Sequence, residues 1–565
     1  MGDLPEMIEQ LSSRVDALEK RVHDLEHPSE AAAQTSPQLM GAPALAPVSR
    51  QTAIDQASSL FPVVGLAMLG VAGAYLLRAV AESNLVAKPL IAAIAIVYAI
   101  AWLFWAARAK TAGNFPRAIY AGSSALILGP MLWELTLRFQ VLSPALAAGL
   151  VCGFVLVATV LAWHRDLASV FWVAQGAAAI IALTLSIATH ALMPFLAALL
   201  LMMLICEYAV AHHRGHGIRT LVAAVADVAV WTLIFIYSGP QSVRTDYPAL
   251  GVTALVAPAC LLFLINGVSL VMKTMLRGQS VTIIEAFQAV VAFLLTASSV
   301  LFFAPPAGVV ALGFVCLILS GACYAAAFLR FRSAAERRNF NVFAVWSAGL
   351  FLVGTLWTLP TNWMAACLGV AALVVIVLGV RLECMTLDFH GVVYLTAAVV
   401  VSGLLEYTLN VLTGSLPDKP VWSIVLVSIC AVLSYAAGKE REGESWQHQI
   451  LHFVPALLAA CAVAALMAQG LLGLVAHFMI PEAVHVAFAR TFTVCTVALV
   501  LAFGGSRWHR LEMTRIAYAA LFFEAIKLLF EDLRSGQMGF AAASIFLFAV
   551  TLIGVPRLVH LGHKH

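Results

Sequence analysis

Charge is scarce in this chain: Asp, Glu, Lys and Arg make up 11% of its 565 residues, against about 25% in a soluble globular protein. That shortage, with 62% hydrophobic residues and a mean hydropathy of +0.95, excludes the soluble globular class. It also excludes disorder over most of the length and a disulfide-stapled secreted domain. A formal net charge of +3 leaves no basic surface of the size a nucleic-acid binder needs. The ten cysteines include no C-x-x-C pair and lie almost wholly in apolar runs, so they read as small packing residues. There is no Walker loop, no H-E-x-x-H, no G-x-S-x-G and no polar stretch long enough for an extramembrane catalytic domain. No cofactor and no metal are expected. What is left is an all-α polytopic bundle of transmembrane helices whose principal partner is the lipid bilayer.

Residues 1–56 differ from the rest. They hold no apolar stretch that would serve as a cleavable signal, so the first span is expected to act as its own insertion signal. Ile8, Leu11, Val15, Leu18, Val22 and Leu25 recur at alternating spacings of three and four, which is a heptad seam. The a positions are β-branched and the d positions are Leu, a combination that favours a parallel dimer. Arg14 and Arg21 at g would face Glu19 and Glu26 at e of the partner helix. A cytoplasmic coiled coil over residues 1–27, forming a parallel homodimer through residues 7–26, is the first reading. A single amphipathic helix lying on a surface is the alternative. Pro28 ends the helix, and residues 28–56, rich in Ala, Pro, Ser and Gln, read as a flexible tether.

From residue 57 to residue 565, apolar runs long enough to cross the hydrocarbon begin near residues 60, 86, 118, 144, 167, 190, 218, 248, 281, 306, 339, 362, 387, 420, 449, 484, 512 and 537. That gives about eighteen spans joined by short loops. Turn signals such as Ser238-Gly239-Pro240 and Pro305-Pro306 fall between them. Loops after even-numbered spans are rich in bases, among them Arg108, Lys110 and Arg117, then Arg330, Arg332, Arg337 and Arg338, then Arg507, Arg510 and Arg515. Loops after odd-numbered spans carry only Arg78, Lys88, Arg138, Arg244, Lys419 and Arg534. Under the positive-inside rule both termini are therefore cytoplasmic.

Ionisable residues inside spans cost several kcal/mol unless paired, so each is a candidate for function. On span seventeen Glu524, Lys527 and Glu531 share one helix face. Span sixteen places Arg490 at a similar depth, which makes a compensated cluster plausible. Either an internal salt-bridge network or a substrate or ion site would explain it. Glu134 and Arg138 are i,i+4 in the outer third of span three, and Glu406 lies near the outer interface on span thirteen. Asp227 sits mid-span with no base on its own helix, the pattern of ion or proton coupling. Gln175 and Asn266 are its candidate hydrogen-bonding neighbours. Glu207, Glu285 and Gln288 lie close enough to cytoplasmic ends to be wet. His212, His213 and His216, and again His560, His563 and His565, read as basic patches at the lipid interface. Gly149-x-x-x-Gly153 is a helix-packing motif of low specificity.

Two stretches carry a family likeness. Val64-Gly65, Gly70 and Gly73 lead to Arg78 in the first span, and Lys527 leads to Glu531-Asp532-Leu533 ahead of the last one. With the coiled coil and the long array of short-looped spans, the chain resembles a family of large bacterial many-span membrane proteins defined only as a domain of unknown function. The resemblance implies a bacterial inner-membrane location and brings no activity or catalytic residues with it. A transporter or permease is the leading functional expectation, because no extramembrane domain offers an active site. A non-catalytic envelope scaffold dimerised through its coiled coil is the second, and a lipid-modifying membrane enzyme the third.

Overall fold

An apolar chain in hydrocarbon must satisfy its own backbone polar groups, and the helix is the local way to do so. The structure is a computed structural model that describes residues 50–83, 87–108, 114–212, 216–331, 333, 336–414, 419–438, 446–478, 482–532 and 538–562. Among them there is no strand, and helices joined by short connections account for nearly all residues. The coiled-coil seam at residues 8–25 and the tether as far as residue 49 lie outside the described residues. The chain forms two units, Met1–Gly73 and Ala74–His565.

The helices are α1 (Arg50–Glu82), α2 (Lys88–Arg108), α3 (Asn114–Trp133), α4 (Pro144–Arg165), α5 (Ala168–Ala188) and α6 (Leu192–Ala211). They continue with α7 (His216–Ser238), α8 (Val252–Val271), α9 (Ile283–Phe303), α10 (Pro306–Ala325), α11 (Arg337–Thr358) and α12 (Thr361–Leu382). The last group is α13 (Met385–Val401), α14 (Leu404–Thr413), α15 (Trp422–Ala437), α16 (Trp446–Phe478), α17 (Ala483–Arg507), α18 (Leu511–Lys527) and α19 (Met538–Gly562). Single π turns extend α3 (Glu134–Arg138), α8 (Met272–Leu276), α10 (Ala326–Arg330) and α18 (Leu528–Asp532).

Among the described residues, 14 helices are long and apolar enough to cross a membrane. The chain is therefore a multi-pass, all-α membrane protein. The bent pair α13 and α14 counts as one more if it is a single broken span. Three further apolar or part-charged segments, Val64–Val80 within α1, α15 and α18, match the remaining expected start positions but are shorter or carry more charge.

Local chemistry sets the boundaries. Pro144 opens α4 while the Ser143 hydroxyl accepts from the Leu146 amide, and Thr282 with Glu285 forms a capping box on α9. Three sequence expectations need correction. The tether was expected to reach residue 56, but α1 starts at Arg50 because no helix breaker follows Pro47 until Pro62. Span thirteen is broken by 57°, at Gly403, whose φ of +71° suits a residue without Cβ. Gly149 and Gly153 face no neighbour within 4 Å, so that motif packs against nothing. Close packing occurs instead between α10 and α11. There a Cβ on Gly313 would lie 2.7 Å from Thr358, and one on Gly354 2.8 Å from Leu317.

Each helix of the second unit packs mainly against helices no more than three places away along the chain. Polar contacts bind their ends. The end of α4 reaches that of α2 (Arg165 to the Ala107 carbonyl, 2.9 Å), and the end of α10 meets the start of α13 (Tyr324 to His390, 2.9 Å). The starts of α12 and α15 touch through Ser423 and Asn362 at 3.2 Å, and Arg510 before α18 donates to the Gly438 carbonyl after α15 at 3.0 Å.

Candidate functional site

The largest buried charge cluster gathers where the start of α17 meets the end of α18. Arg490 is held by three acceptors: Nε donates to the Val411 carbonyl at 2.7 Å, Nη2 to the Gly414 carbonyl at 2.5 Å, and Nη1 to Glu531 at 2.6 Å. The first two carbonyls belong to the end of α14, where a helix terminus leaves backbone acceptors unpaired. Lys527 has three N–H donors and uses all of them, on the Ala487 carbonyl (3.2 Å), Thr491 Oγ1 (2.8 Å) and Asp532 (2.7 Å). Asp532 also accepts from Ser544 of α19 at 2.6 Å.

Glu524 stands apart in this group. It is 0% exposed and lies 3.8 Å from Lys527 Nζ, yet neither of its oxygens makes a short hydrogen bond. The reason is local: the ammonium beside it is already saturated. Glu531 is the member that reaches outward, with its side chain 27% exposed against 3% or less for Arg490, Lys527, Glu524 and Asp532. With every group ionised, the three carboxylates outnumber the two bases by one.

Arg490, Glu524, Lys527 and Glu531 are thus brought together as their spacing suggests, but Asp532 was not foreseen. It follows Lys527 by five residues, which an α-helix would turn to another face. The π turn Leu528–Asp532 closes i→i+5 and brings the pair together. The other site candidates lie elsewhere. Glu134 pairs with Arg78 at 2.9 Å, and Arg138 pairs with Glu82 at 2.7 Å, so the two expected i,i+4 partners each bind the end of α1. The hydrogen bond from Arg78, helped by the charge of Arg138, holds the Glu82 carboxyl below the usual carboxylate range. Glu406 is exposed on α14. Asp227 has no hydrogen-bond or ion-pair partner among the described residues, and one of its oxygens is buried. Gln175 bonds weakly to Thr159 and Asn266 to the Leu262 carbonyl, so neither serves Asp227.

A second charge network joins acids that, by position alone, read as wet and isolated. Arg219 at the start of α7 donates to Glu207 at the end of α6, and at 2.8 Å to Glu285 at the start of α9. Lys273, on the π turn after α8, donates to both oxygens of Glu285 at 2.7 Å. Ser269 bridges to Glu207. Four consecutive spans contribute, and the signal was available: all these groups sit at ends that the charge alternation assigns to one side. His390 was missed as well. It is buried, bonded to Tyr324, and its Nε2 has no partner. Tyr324 in turn bonds to Tyr394 at 2.9 Å.

Among the described residues no group of three or more His, Cys, Asp and Glu side chains is placed to hold a metal, and the ten cysteines are free. Of the histidine patches, His212 binds the Tyr208 carbonyl through Nδ1 at 2.9 Å, while His213, His563, His565 and the side chain of His216 lie outside the described residues. Comparison with protein-family models, curated proteins and solved structures finds no match to the chain.

Proposed function

We propose that the protein is a transporter of the bacterial inner membrane, coupled to protons through the cluster of Arg490, Glu524, Lys527, Glu531 and Asp532. One observation carries this reading: a fully buried carboxyl, Glu524, lies beside Thr491 and 3.8 Å from Lys527 without a short hydrogen bond, in a cluster that has one acid too many. An uncompensated charge in hydrocarbon is expensive, so the cluster is neutral only when it holds one exchangeable cation. A proton on Glu524 meets that need, and Glu531 with its Arg490 partner stands between Glu524 and the surface.

In this reading all of the roughly eighteen apolar segments cross the bilayer, and both termini are cytoplasmic. The contacts between helix ends support that parity. Arg490 to Val411 and Gly414, Ser423 to Asn362, and Arg510 to Gly438 each join ends that the alternation puts on one side. Had the broken pair or the short α15 failed to cross, these contacts would link opposite faces. The bacterial inner-membrane location is what the resemblance to the many-span bacterial family implies.

The test uses the full chain in liposomes with a pH-sensitive dye inside and an imposed inside-negative potential. Wild-type protein is expected to acidify the lumen faster than protein-free vesicles, with Glu524→Gln reduced to the vesicle rate. Equal rates for the two proteins would contradict the proposal, as would a loss seen only in Asp227→Asn, which would move coupling to α7. A second reading, a scaffold dimerised through residues 7–26, draws on the serial helix packing. The third reading, a lipid-modifying enzyme, would need Glu134, Glu406 and Glu524 to line one cavity, and neither of the two described cavities is lined by any of them. Deleting residues 1–49 separates the two leading readings: a transporter keeps its proton flux, and a scaffold loses its dimer.

A further inference from the structure

We propose that the cleft between α6 and α8, with Arg277 at its rim, binds one anionic phospholipid of the cytoplasmic leaflet. The inference stands apart from the coupling centre, which lies at the opposite ends of other helices.

The cleft has a volume of about 420 Å³ and two chemically distinct parts. Its wall is apolar: Leu261, Leu264, Val268 and Met272 of α8 and its π turn face Leu204 of α6, all of them exposed to the surroundings. In a membrane-spanning segment that exposure is to acyl chains, and a concave apolar wall fits one of them. The other part is the charged end of the same four helices. There Glu207 and Glu285 are fully engaged by Arg219, Lys273 and Ser269. Three bases line this end against two acids, and the spare one is Arg277, which makes no ion pair among the described residues. Arg277 follows Lys273 by four residues, which adds a second positive charge to the rim beside it.

Depth agrees with charge. Tyr208, which lines the cleft, stacks on Trp163 with ring centroids 5.5 Å apart and lies 4.4 Å from the His212 ring. Tyr and Trp gather at the level of lipid headgroups. The shared arrangement, an apolar wall ending in an unpaired guanidinium at headgroup depth, selects a phosphodiester anion that carries an acyl chain. A zwitterionic lipid would bring a cation to a rim already positive.

Native mass spectrometry of the full chain, with phosphatidylglycerol and phosphatidylethanolamine supplied in equal amounts, tests this directly. Wild type is expected to retain one phosphatidylglycerol in preference, and Arg277→Ala to lower that preference about fivefold, as about 1 kcal/mol for one base at the surface implies. Arg277→Lys keeps the preference, and Val268→Trp, which fills the wall, abolishes retention at the site. Glycerol 3-phosphate at the same concentration is expected not to compete. A preference unchanged in both Arg277→Ala and Val268→Trp would overturn the proposal, because retention would then be non-specific. Competition by glycerol 3-phosphate as strong as by the lipid would overturn it too, by identifying a soluble anion as the ligand.

Discussion

Arg490 shows how a single residue organises the ends of three helices. Its guanidinium caps two backbone carbonyls of α14 and pairs with Glu531. Replacing it by Ala leaves the buried Val411 carbonyl without this donor and removes the nearer of two bases beside Glu531; breaking a fully buried pair typically costs about 3–5 kcal/mol, and the 27% exposure of Glu531 sets the loss here below that. Arg490→Ala is therefore expected to lower the thermal midpoint of the detergent-solubilised protein well below that of wild type. Arg490→Lys, with one compact ammonium in place of a planar fork, should recover only part of the loss. An unchanged midpoint in Arg490→Ala would mean that the three contacts do not hold these ends together.

At this scale the sequence was readable where regular helical spacing governs. Glu524, Lys527 and Glu531 share a face by simple arithmetic, and Arg490 follows from depth. Asp532 was not readable, since its approach to Lys527 depends on a π turn that no residue pattern announces. Arg219 was hidden for a different reason. It sits in a loop-proximal position where a base is expected anyway, and only the folded chain shows it buried between Glu207 and Glu285.

Among the elements, small residues matter by their neighbours and not by their spacing. Gly149 and Gly153 fit the helix-packing motif, yet a Cβ at either would meet nothing within 4 Å. Gly354 belongs to no such motif, and its Cβ would fall 2.8 Å from Leu317 and 3.0 Å from the Gly313 carbonyl. Backbone cannot give way as a side chain can, so Gly354→Ala should destabilise the α10–α11 pair by about 1–3 kcal/mol. Gly149→Ala is the control, expected to be neutral or slightly stabilising. Thermal unfolding of the two variants side by side checks the pair, and equal midpoints would contradict the packing. Among the described residues the positions of the long apolar helices were legible, because apolar sequence in hydrocarbon has few alternatives to a helix. The break within span thirteen was announced only by the dipeptide Ser402-Gly403, a turn signal set inside an otherwise apolar run.

For the whole molecule, scarcity of charge is the organising fact. Most bases mark one side of the membrane, and Glu134, Glu207, Glu285 and Glu531 are each matched by a base from another helix. The bilayer makes each mismatch visible. Asp227 is one, a carboxyl beside the lipid-facing side of α7 without a partner among the described residues. The cluster where the start of α17 meets the end of α18 is another, and it is the better candidate for coupling because its excess acid is enclosed with bases that can respond to a proton. The account therefore rests on a proton residing on Glu524 in the intact protein. Infrared spectroscopy of the full chain in lipid, recording the C=O stretch of protonated carboxyls at neutral pH, measures that directly. The account predicts a band in wild type that is lost in Glu524→Gln and retained in Asp227→Asn; a spectrum unchanged by Glu524→Gln would contradict it.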